Sequence, residues 1–140
     1  MERFFVKKGF TMVELMIVVV ILGILAAIVV PRFIGREEEA RITAAKVQIS
    51  NFETALTMFR LDNGFYPSTE QGLRALVEEP STGREPRDWK QYLARIPSDP
   101  WGNEYVYISP GSDGRDYDII SPGPDGEPGT GDDIANWMLD

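Results

Sequence analysis

One long apolar run near the N-terminus dominates what this chain can fold into. Residues 10–30 read FTMVELMIVVVILGILAAIVV and contain a single charged side chain, that of Glu14. As an α-helix rising about 1.5 Å per residue, the run spans about 31 Å, which matches the hydrocarbon core of a bilayer. The sequence therefore predicts a helix that enters a membrane.

The residues in front of this run set its expected orientation. Residues 1–9, MERFFVKKG, are short and basic, and basic residues stay on the cytoplasmic side of a membrane. We therefore expect the N-terminus in the cytoplasm and everything after Pro31 outside it. The alternative is a cleaved secretory signal peptide, whose apolar region would be about 7 to 15 residues long. This run is longer, and Ala26 and Ala27 offer only a weak cleavage site, so we expect it to be retained as an anchor.

Length and composition exclude several classes of protein. With the apolar run set aside, a chain of 140 residues has room for one small globular domain and not for a large enzyme. It has no cysteine and no histidine, which excludes disulfides, thiolate metal sites and histidine-based catalysis. The net charge is -8, of which the first nine residues contribute +2 and the rest -10. Such an acidic body disfavours nucleic acid as a partner.

Beyond the apolar run the pattern becomes amphipathic, which predicts that the helix continues and packs on a domain. Apolar side chains recur at steps of three and four residues and so share one face. They are Ile42, Ala45, Ile49, Phe52, Leu56 and Phe59. Asn63 and Gly64 supply a stop, so one helix is expected from about Phe10 to about Leu61. The acidic residues 37–39 are expected to form a solvated face, or else to pair with basic residues of neighbouring subunits.

The second half of the chain is rich in turn residues and predicts a small sheet. A short helix is expected at about residues 69–78, with Ser68 as its N-cap. Residues 104–108 and 117–121 are rich in β-branched and aromatic side chains, as is typical of strands, and residues 112–114 are expected to form the turn between them. The sequence therefore predicts an α+β fold in which a long helix packs against a two- or three-stranded antiparallel sheet.

The loop ISPGPDGEPGTGDDI, residues 120–134, is a candidate cation site. Asp125, Asp132 and Asp133 lie within nine residues, joined by glycines that let the backbone curl and present its carbonyls. Hard oxygen ligands on a flexible loop suit Ca²⁺. The spacing is not that of an EF-hand, and Asp-Gly pairs also occur simply as turns, so both interpretations fit the residues.

Two further groups of residues are given structural roles. Asp113, Asp116 and Asp118 lie on the predicted hairpin and are interpreted as turn and surface residues. Trp101 and Trp137 are interpreted as core or loop-packing aromatics. Nothing else in the sequence favours a peptide- or sugar-binding role for the tryptophans.

The N-terminal motif resembles a known processing site. KKGFTMVE, residues 7–14, followed by the apolar run, resembles the class III signal of type IV pilins and type II secretion pseudopilins. The resemblance implies that a prepilin peptidase cuts after Gly9 and methylates the new amino group of Phe10. It also implies that the Glu14 carboxylate neutralises the Phe10 ammonium of a neighbouring subunit, since each charge offsets the other's desolvation. The simpler alternative is that Glu14 reaches the headgroup region.

Three later blocks narrow the resemblance to type II secretion major pseudopilins. These blocks are LDNGFYPSTEQGLRALV, DPWGNEYVY and SPGPDGEPGTGDDI, and with the N-terminus they cover most of the chain. Type IV major pilins normally carry a C-terminal disulfide loop, which a chain without cysteine cannot form. The resemblance implies the type IV pilin-like α+β fold, one long N-terminal helix on a small antiparallel sheet, with a C-terminal metal-binding loop. The implied Ca²⁺ ligands are the side chains of Asp125, Asp132 and Asp133 and backbone carbonyls from among Ile120, Ser121, Pro122 and Glu127.

The resemblance also implies a division of the chain and a function. Residues 1–9 would be the leader peptide, 10–31 the transmembrane half of the helix and 32–140 the periplasmic domain. The subunit would polymerise with itself and with minor pseudopilins into a periplasmic pseudopilus that drives export of folded proteins across the outer membrane. Its other expected partners are prepilin peptidase, membrane lipid and an inner-membrane assembly platform driven by a cytoplasmic ATPase.

Two other functions are compatible with the same residues. One is a type IV pilin of an adhesion or motility pilus, which would form long surface filaments. The other is a membrane-anchored periplasmic hydrolase in which Asp125 or Asp132 holds a metal that activates water. That chemistry requires an open metal position beside a pocket. The favoured interpretation is a structural subunit and not an enzyme.

Overall fold

The computed structural model describes residues 8–139, apart from the side chains of residues 30–34. Residues 1–7 of the predicted leader lie outside the described residues. The chain divides into two compact units, Met1–Glu39 and Ala40–Asp140.

A single long helix, α1, occupies Met12–Asn63. It begins after Thr11, whose hydroxyl accepts a hydrogen bond from the Glu14 N–H at 3.1 Å, as an N-cap side chain does. It ends at Gly64, which has a φ of +84° and donates its N–H to the Arg60 carbonyl at 2.7 Å. The predicted helix is confirmed to within two residues at each end, because both ends depend on local sequence.

In the first unit, the part of α1 from Met12 to Val29 is apolar apart from Glu14 in its first turn. Met12–Val29 is long and apolar enough to cross a membrane, judged by length and composition. Its large apolar side chains are exposed, from 45% for Val18 to 78% for Met12. Because its surface is apolar apart from Glu14, this segment needs an apolar environment, which either lipid or other helices can provide. The segment coincides with the predicted membrane anchor.

In the second unit, α1 buries the apolar face that the sequence predicts. Five of the six residues on that face are at most 1% exposed, and Ile42 is partly buried against them. They pack on a cluster formed by Leu73, Leu76, Tyr105, Tyr107, Ile119 and Ile134. Phe52 and Tyr105 meet edge to face with 5.0 Å between ring centroids. Burial of this one helix face supplies the apolar core of the unit.

The sheet has three antiparallel strands. They are β1 at Val106–Ile108, β2 at Asp118–Ser121 and β3 at Ile134–Ala135, with β2 in the centre. The hairpin turn between β1 and β2 lies at residues 112–114, as predicted, and the Arg115 N–H donates to the Ser112 carbonyl at 3.0 Å. The sequence predicts either two or three strands, and the third strand, β3, is present. It follows the acidic loop and pairs with β2, so the loop begins and ends on neighbouring strands.

The helix predicted at residues 69–78 is shorter than expected and of another type. Only Leu73–Leu76 are helical, and they form a 3₁₀ helix. Ser68 caps the turn before it, since its hydroxyl accepts the Gln71 N–H at 3.2 Å while the Gln71 side chain accepts the Ser68 N–H at 3.1 Å. The Gln71 amide also donates to two carbonyls of the following loop, at 2.7 and 3.0 Å. These bonds tie the segment to that loop instead of extending it as an α-helix.

Side chains hold the irregular segment of residues 80–93 against the end of α1. Asn63 is buried, accepts the Asp88 N–H at 2.9 Å and donates to the Tyr92 hydroxyl at 3.1 Å. The indole N–H of Trp89 donates to a carbonyl of the 3₁₀ helix at 2.8 Å. The backbone N–H groups of Tyr92 and Leu93 also donate to the Leu76 carbonyl, at 2.9 and 3.0 Å, so the segment has defined partners without forming a strand.

Candidate functional site

The first candidate site is the N-terminal end of α1. Phe10 precedes the helix and is 77% exposed, and Glu14 lies exposed in its first turn. Thr11 and Glu14 have the spacing of a capping box, which places the carboxylate at the positive end of the helix dipole. Sequence reasoning missed this role, although the Thr-x-x-Glu pattern is visible. Gly9 and Phe10, the predicted cleavage and methylation residues, are both exposed in the segment before the helix.

The second candidate site is the acidic loop that joins β2 to β3. Because Ser121 pairs with Ile134 across the two strands, the loop begins and ends at neighbouring positions. Gly123 has a φ of +73°, and a Cβ at this position would lie 2.4 Å from the Asp132 carbonyl oxygen. The two ends of the loop are therefore in close backbone contact, which only glycine permits.

The three carboxylates predicted as metal ligands accept hydrogen bonds within the loop. Asp125 and Asp133 each accept a backbone N–H, at 2.9 and 2.6 Å. Asp132 accepts the Thr130 hydroxyl at 2.5 Å and the Asp125 N–H at 3.1 Å. The hydrogen bond from Thr130 is the main reason that the pKa of Asp132 lies below its ordinary value.

The donor chemistry of this loop fits a hard cation such as Ca²⁺, because every candidate donor is a carboxylate or carbonyl oxygen. The Thr130 hydroxyl lies 2.5 Å from an oxygen of Asp132 and 3.4 Å from an oxygen of Asp133, which makes these two carboxylates neighbours. Asp125 donates its backbone N–H to Asp132, while its carboxylate accepts the Glu127 N–H. Among the described residues, no three acidic side chains are grouped to hold one ion.

The four candidate carbonyl ligands are dispersed along the loop. Ile120 and Ser121 lie in β2, and Pro122 is buried directly after it. The Glu127 carbonyl oxygen lies 2.9 Å from the Thr130 hydroxyl oxygen. Three of the four carbonyls therefore lie at the start of the loop, in or next to β2, and the fourth lies apart from them.

The interpretation of Asp118 as a surface residue is wrong, since its exposed fraction is 3%. Arg115 donates to its Oδ1 at 2.7 Å, and Ser112 donates both its N–H and its hydroxyl to Oδ2, at 2.9 and 2.6 Å. Burial raises the pKa of Asp118, but these hydrogen bonds outweigh it and hold the pKa below its ordinary value. Asp113 and Asp116 are exposed, as predicted.

The two tryptophans interpreted as packing aromatics, Trp101 and Trp137, differ in their surroundings. Trp101 is partly buried and packs against the core, in agreement with the sequence interpretation. Trp137 is 41% exposed and has the Arg115 guanidinium 4.2 Å from its ring centre, so it is a surface residue in a cation–π pair.

Sequence comparison matches both parts of the chain to known families. The prokaryotic N-terminal methylation motif matches residues 5–30, and the family described as type II secretion system protein G matches residues 32–137. The type II secretion system core protein G of Pseudomonas aeruginosa is 49% identical over 135 residues, which cover 94% of this chain and 95% of that protein. The core protein G of Vibrio cholerae is 49% identical over 143 residues, which cover 99% of this chain and 97% of that protein.

A solved structure agrees with these matches. The crystal structure of the major pseudopilin from the type 2 secretion system of enterohaemorrhagic Escherichia coli has a TM-score of 0.71 and 48% identity, covering 76% of this chain and 90% of that one. A methylation motif, one apolar helix with an exposed surface, and a small α+β unit are the features of a type IV pilin-like protein. Within that class, the chain belongs to the protein G family of type II secretion systems, the major pseudopilins.

Proposed function

We propose that the chain is the structural subunit of a type II secretion pseudopilus and that copies assemble through the apolar half of α1. The observation that carries this proposal is that Met12–Val29 is exposed and, apart from Glu14, apolar, in a chain whose second unit has its own core. Such a surface is stable in lipid or in a bundle of equivalent helices, and is unstable in water. A subunit can therefore move from the membrane into a filament without exposing its apolar surface.

The same proposal gives the chain a topology. Residues 10–31 anchor the subunit in the inner membrane with the N-terminus in the cytoplasm, and residues 32–140 lie in the periplasm. Prepilin peptidase removes residues 1–9 and methylates Phe10. Mass spectrometry of the purified native subunit tests both steps: we expect the mass of a chain that begins at methylated Phe10. A chain that begins downstream of Ala27 would contradict the anchor and the assembly mechanism together.

Within the filament, Glu14 would neutralise the Phe10 ammonium of a neighbouring subunit. A lone carboxylate in a membrane costs a few kcal/mol, so a partner of opposite charge lowers that cost. Supporting this, the Glu14 side chain is exposed at the end of α1 and is accessible to a partner. The variant Glu14→Gln retains a capping-box residue and removes the charge, so we expect normal processing but loss of filaments. Glu70→Gln, an exposed change on the second unit, is the control, and equal filament yields from the two variants would contradict the pairing.

We further propose that the acidic loop binds Ca²⁺. The proposed ligands are the side chains of Asp125, Asp132 and Asp133, completed by carbonyls from among Ile120, Ser121, Pro122 and Glu127. What supports this is the oxygen-only donor set on a loop whose ends are in close contact at Gly123. When bound, Ca²⁺ supplies a positive centre that orders a segment with few apolar residues. Carboxylates now bonded to loop N–H groups would exchange some of those bonds for the ion.

Removal of calcium tests this part alone. We expect excess EGTA to lower the melting temperature of the second unit and the yield of filaments. A ligand present at about 100 times its Kd stabilises a fold by about 2.7 kcal/mol, a shift that calorimetry detects easily. The control is Mg²⁺ added back at the same concentration, which should restore little because it favours a smaller octahedral site. A melt unchanged by EGTA would refute calcium binding and leave the filament proposal standing.

A structural role also fits the surface of the second unit better than catalysis does. A groove of about 510 Å³ is lined by side chains from residues 69–74 and 96–107, and no residue of the acidic loop takes part in it. A metal-dependent hydrolase would need its cation beside such a groove. We therefore propose that the chain acts through its partners, which are other copies, minor pseudopilins, the inner-membrane assembly platform and prepilin peptidase. Hydrolytic activity of the purified chain would contradict this.

A further inference from the structure

Asp99 is a buried carboxylate outside the acidic loop, with an exposed fraction of 4%. Its Oδ1 accepts the N–H groups of Trp101 at 3.1 Å and Asn103 at 2.7 Å, and its Oδ2 accepts the Ser121 hydroxyl at 2.7 Å. All three donors are neutral, so they solvate the negative charge without cancelling it. The charge of Asp99 also acts on a neighbouring side chain. Burial is the main cause of the raised pKa of Tyr105, and the charge of Asp99 raises that pKa further.

The turn that contains Asp99 is bonded to the start of the acidic loop at two points. One is the Asp99–Ser121 hydrogen bond, and the Ser121 oxygen in turn accepts the Gly123 N–H at 3.3 Å. The other is the Asn103 side-chain amide, which donates to the Gly123 carbonyl at 3.1 Å. The Asn103 side chain also lies against Gly126, where a Cβ would be 3.1 Å from its oxygen. The backbone that begins the loop is therefore shaped by residues that lie some twenty positions earlier in the chain.

We propose that Asp99 and Asn103 are positioning residues for the divalent cation of the acidic loop. This inference rests on the calcium site of the proposed function. It names two ways in which these residues favour binding of the ion there. Asn103 and the Ser121 hydroxyl both bond to the backbone of Gly123, directly after the candidate carbonyl ligands Ser121 and Pro122, and so restrain this part of the loop before any ion binds. Asp99 also contributes a buried negative charge near the loop, where a low local dielectric strengthens its attraction for a cation.

The variant Asp99→Asn removes the negative charge of this side chain but keeps its size and shape. Its amide oxygen can still accept the two backbone N–H groups, and its NH₂ can donate to the Ser121 oxygen, so the fold should persist. Isothermal titration of Ca²⁺ into the full chain in detergent micelles should show a Kd weakened by about tenfold, the usual effect of changing a residue that supports a metal ligand. Asp116→Asn removes the same charge from an exposed position and should leave the Kd within about twofold of the unmodified chain.

A second variant tests the inference independently, in case Asp99→Asn fails to fold. Asn103→Ala removes the bond to the Gly123 carbonyl and retains the Asp99 carboxylate, and the residue is only partly buried. We expect the same weakening of the Kd and, without calcium, faster amide hydrogen exchange confined to the loop. A purely structural role would lower the melting temperature of either variant equally with and without calcium, and would overturn the inference.

The outcomes for the two proposals are distinct. If the unmodified chain binds Ca²⁺ and both variants bind it as tightly as Asp116→Asn, the positioning role is wrong and the calcium site stands. If the unmodified chain gives no calcium-binding heat, both the site and the positioning role are wrong. A Kd weakened in both variants, but not in the control, supports the inference.

Discussion

Replacing Phe59 by alanine tests whether one face of α1 holds the second unit together. The Phe59 side chain is fully buried, and its ring centre lies 5.5 Å from those of Phe65 and Tyr92. Burying a phenylalanine contributes about 1.5–3 kcal/mol, and the cavity left behind raises the cost of Phe→Ala to about 3–5 kcal/mol. Because two aromatic contacts are lost as well, we expect the upper part of that range, about 4 kcal/mol.

The matched control is Leu61→Ala, two positions further along the same helix. Leu61 is 80% exposed, so its truncation should change the free energy of unfolding by less than about 0.5 kcal/mol. The assay is urea denaturation of the full chain in detergent micelles, followed by near-UV circular dichroism. We expect a much lower urea midpoint for Phe59→Ala at an unchanged slope, since the surface exposed on unfolding is almost the same.

A loss below about 1 kcal/mol for Phe59→Ala would refute the reasoning, because a fully buried ring in a packed core cannot be removed so cheaply. The same holds if the two variants have equal midpoints. Either result would mean that the second unit is held together by something other than the apolar face of α1.

Two further predictions concern the sheet and the loop. In the folded chain the pKa of Asp118 lies below its ordinary value of 3.8, so the ionised carboxylate stabilises the fold at pH values above 3.8. This stabilisation is lost as the pH falls through the pKa of the folded state. The difference in unfolding free energy between the unmodified chain and Asp118→Asn should therefore be constant above about pH 5 and shrink in stronger acid; a constant difference down to about pH 2 would contradict this. Gly123→Ala should lower the melting temperature more than Gly129→Ala, because both have positive φ but only the first brings a Cβ against Asp132. Equal shifts in calorimetry would contradict the close contact.

Local features of the chain were predictable from sequence because their causes are local. The ends of α1 depend on Thr11 and Gly64, which act within one turn of themselves. The buried stripe follows from a spacing of three and four residues, which any helix converts into one face. The processing motif at residues 7–14 is likewise contiguous, and comparison with known families confirms it.

Features that join distant segments were missed or misjudged. Asp118 looks like any hairpin aspartate in the sequence, and its burial is seen only in the folded hairpin, where Ser112 and Arg115 bond to its carboxylate. The strand β3 is two residues long and too short for a pattern, so only its pairing with β2 defines it. The short helix at Leu73–Leu76 begins later than predicted because Gln71, just before it, bonds to a later loop, which local propensity does not include.

By itself, the sequence determined that this chain has an apolar N-terminal helix, a processing motif and a small α+β unit with an acidic loop. The helix, the unit and the loop follow from composition and periodicity, and the motif from its resemblance to a known processing signal; none of these needs knowledge of distant contacts. Only the tertiary structure decided which aspartates are buried and what shapes the start of the acidic loop. Asp99 and Ser121 are far apart in the chain, and whether a carboxylate meets a hydroxyl across that distance depends on how the whole core packs.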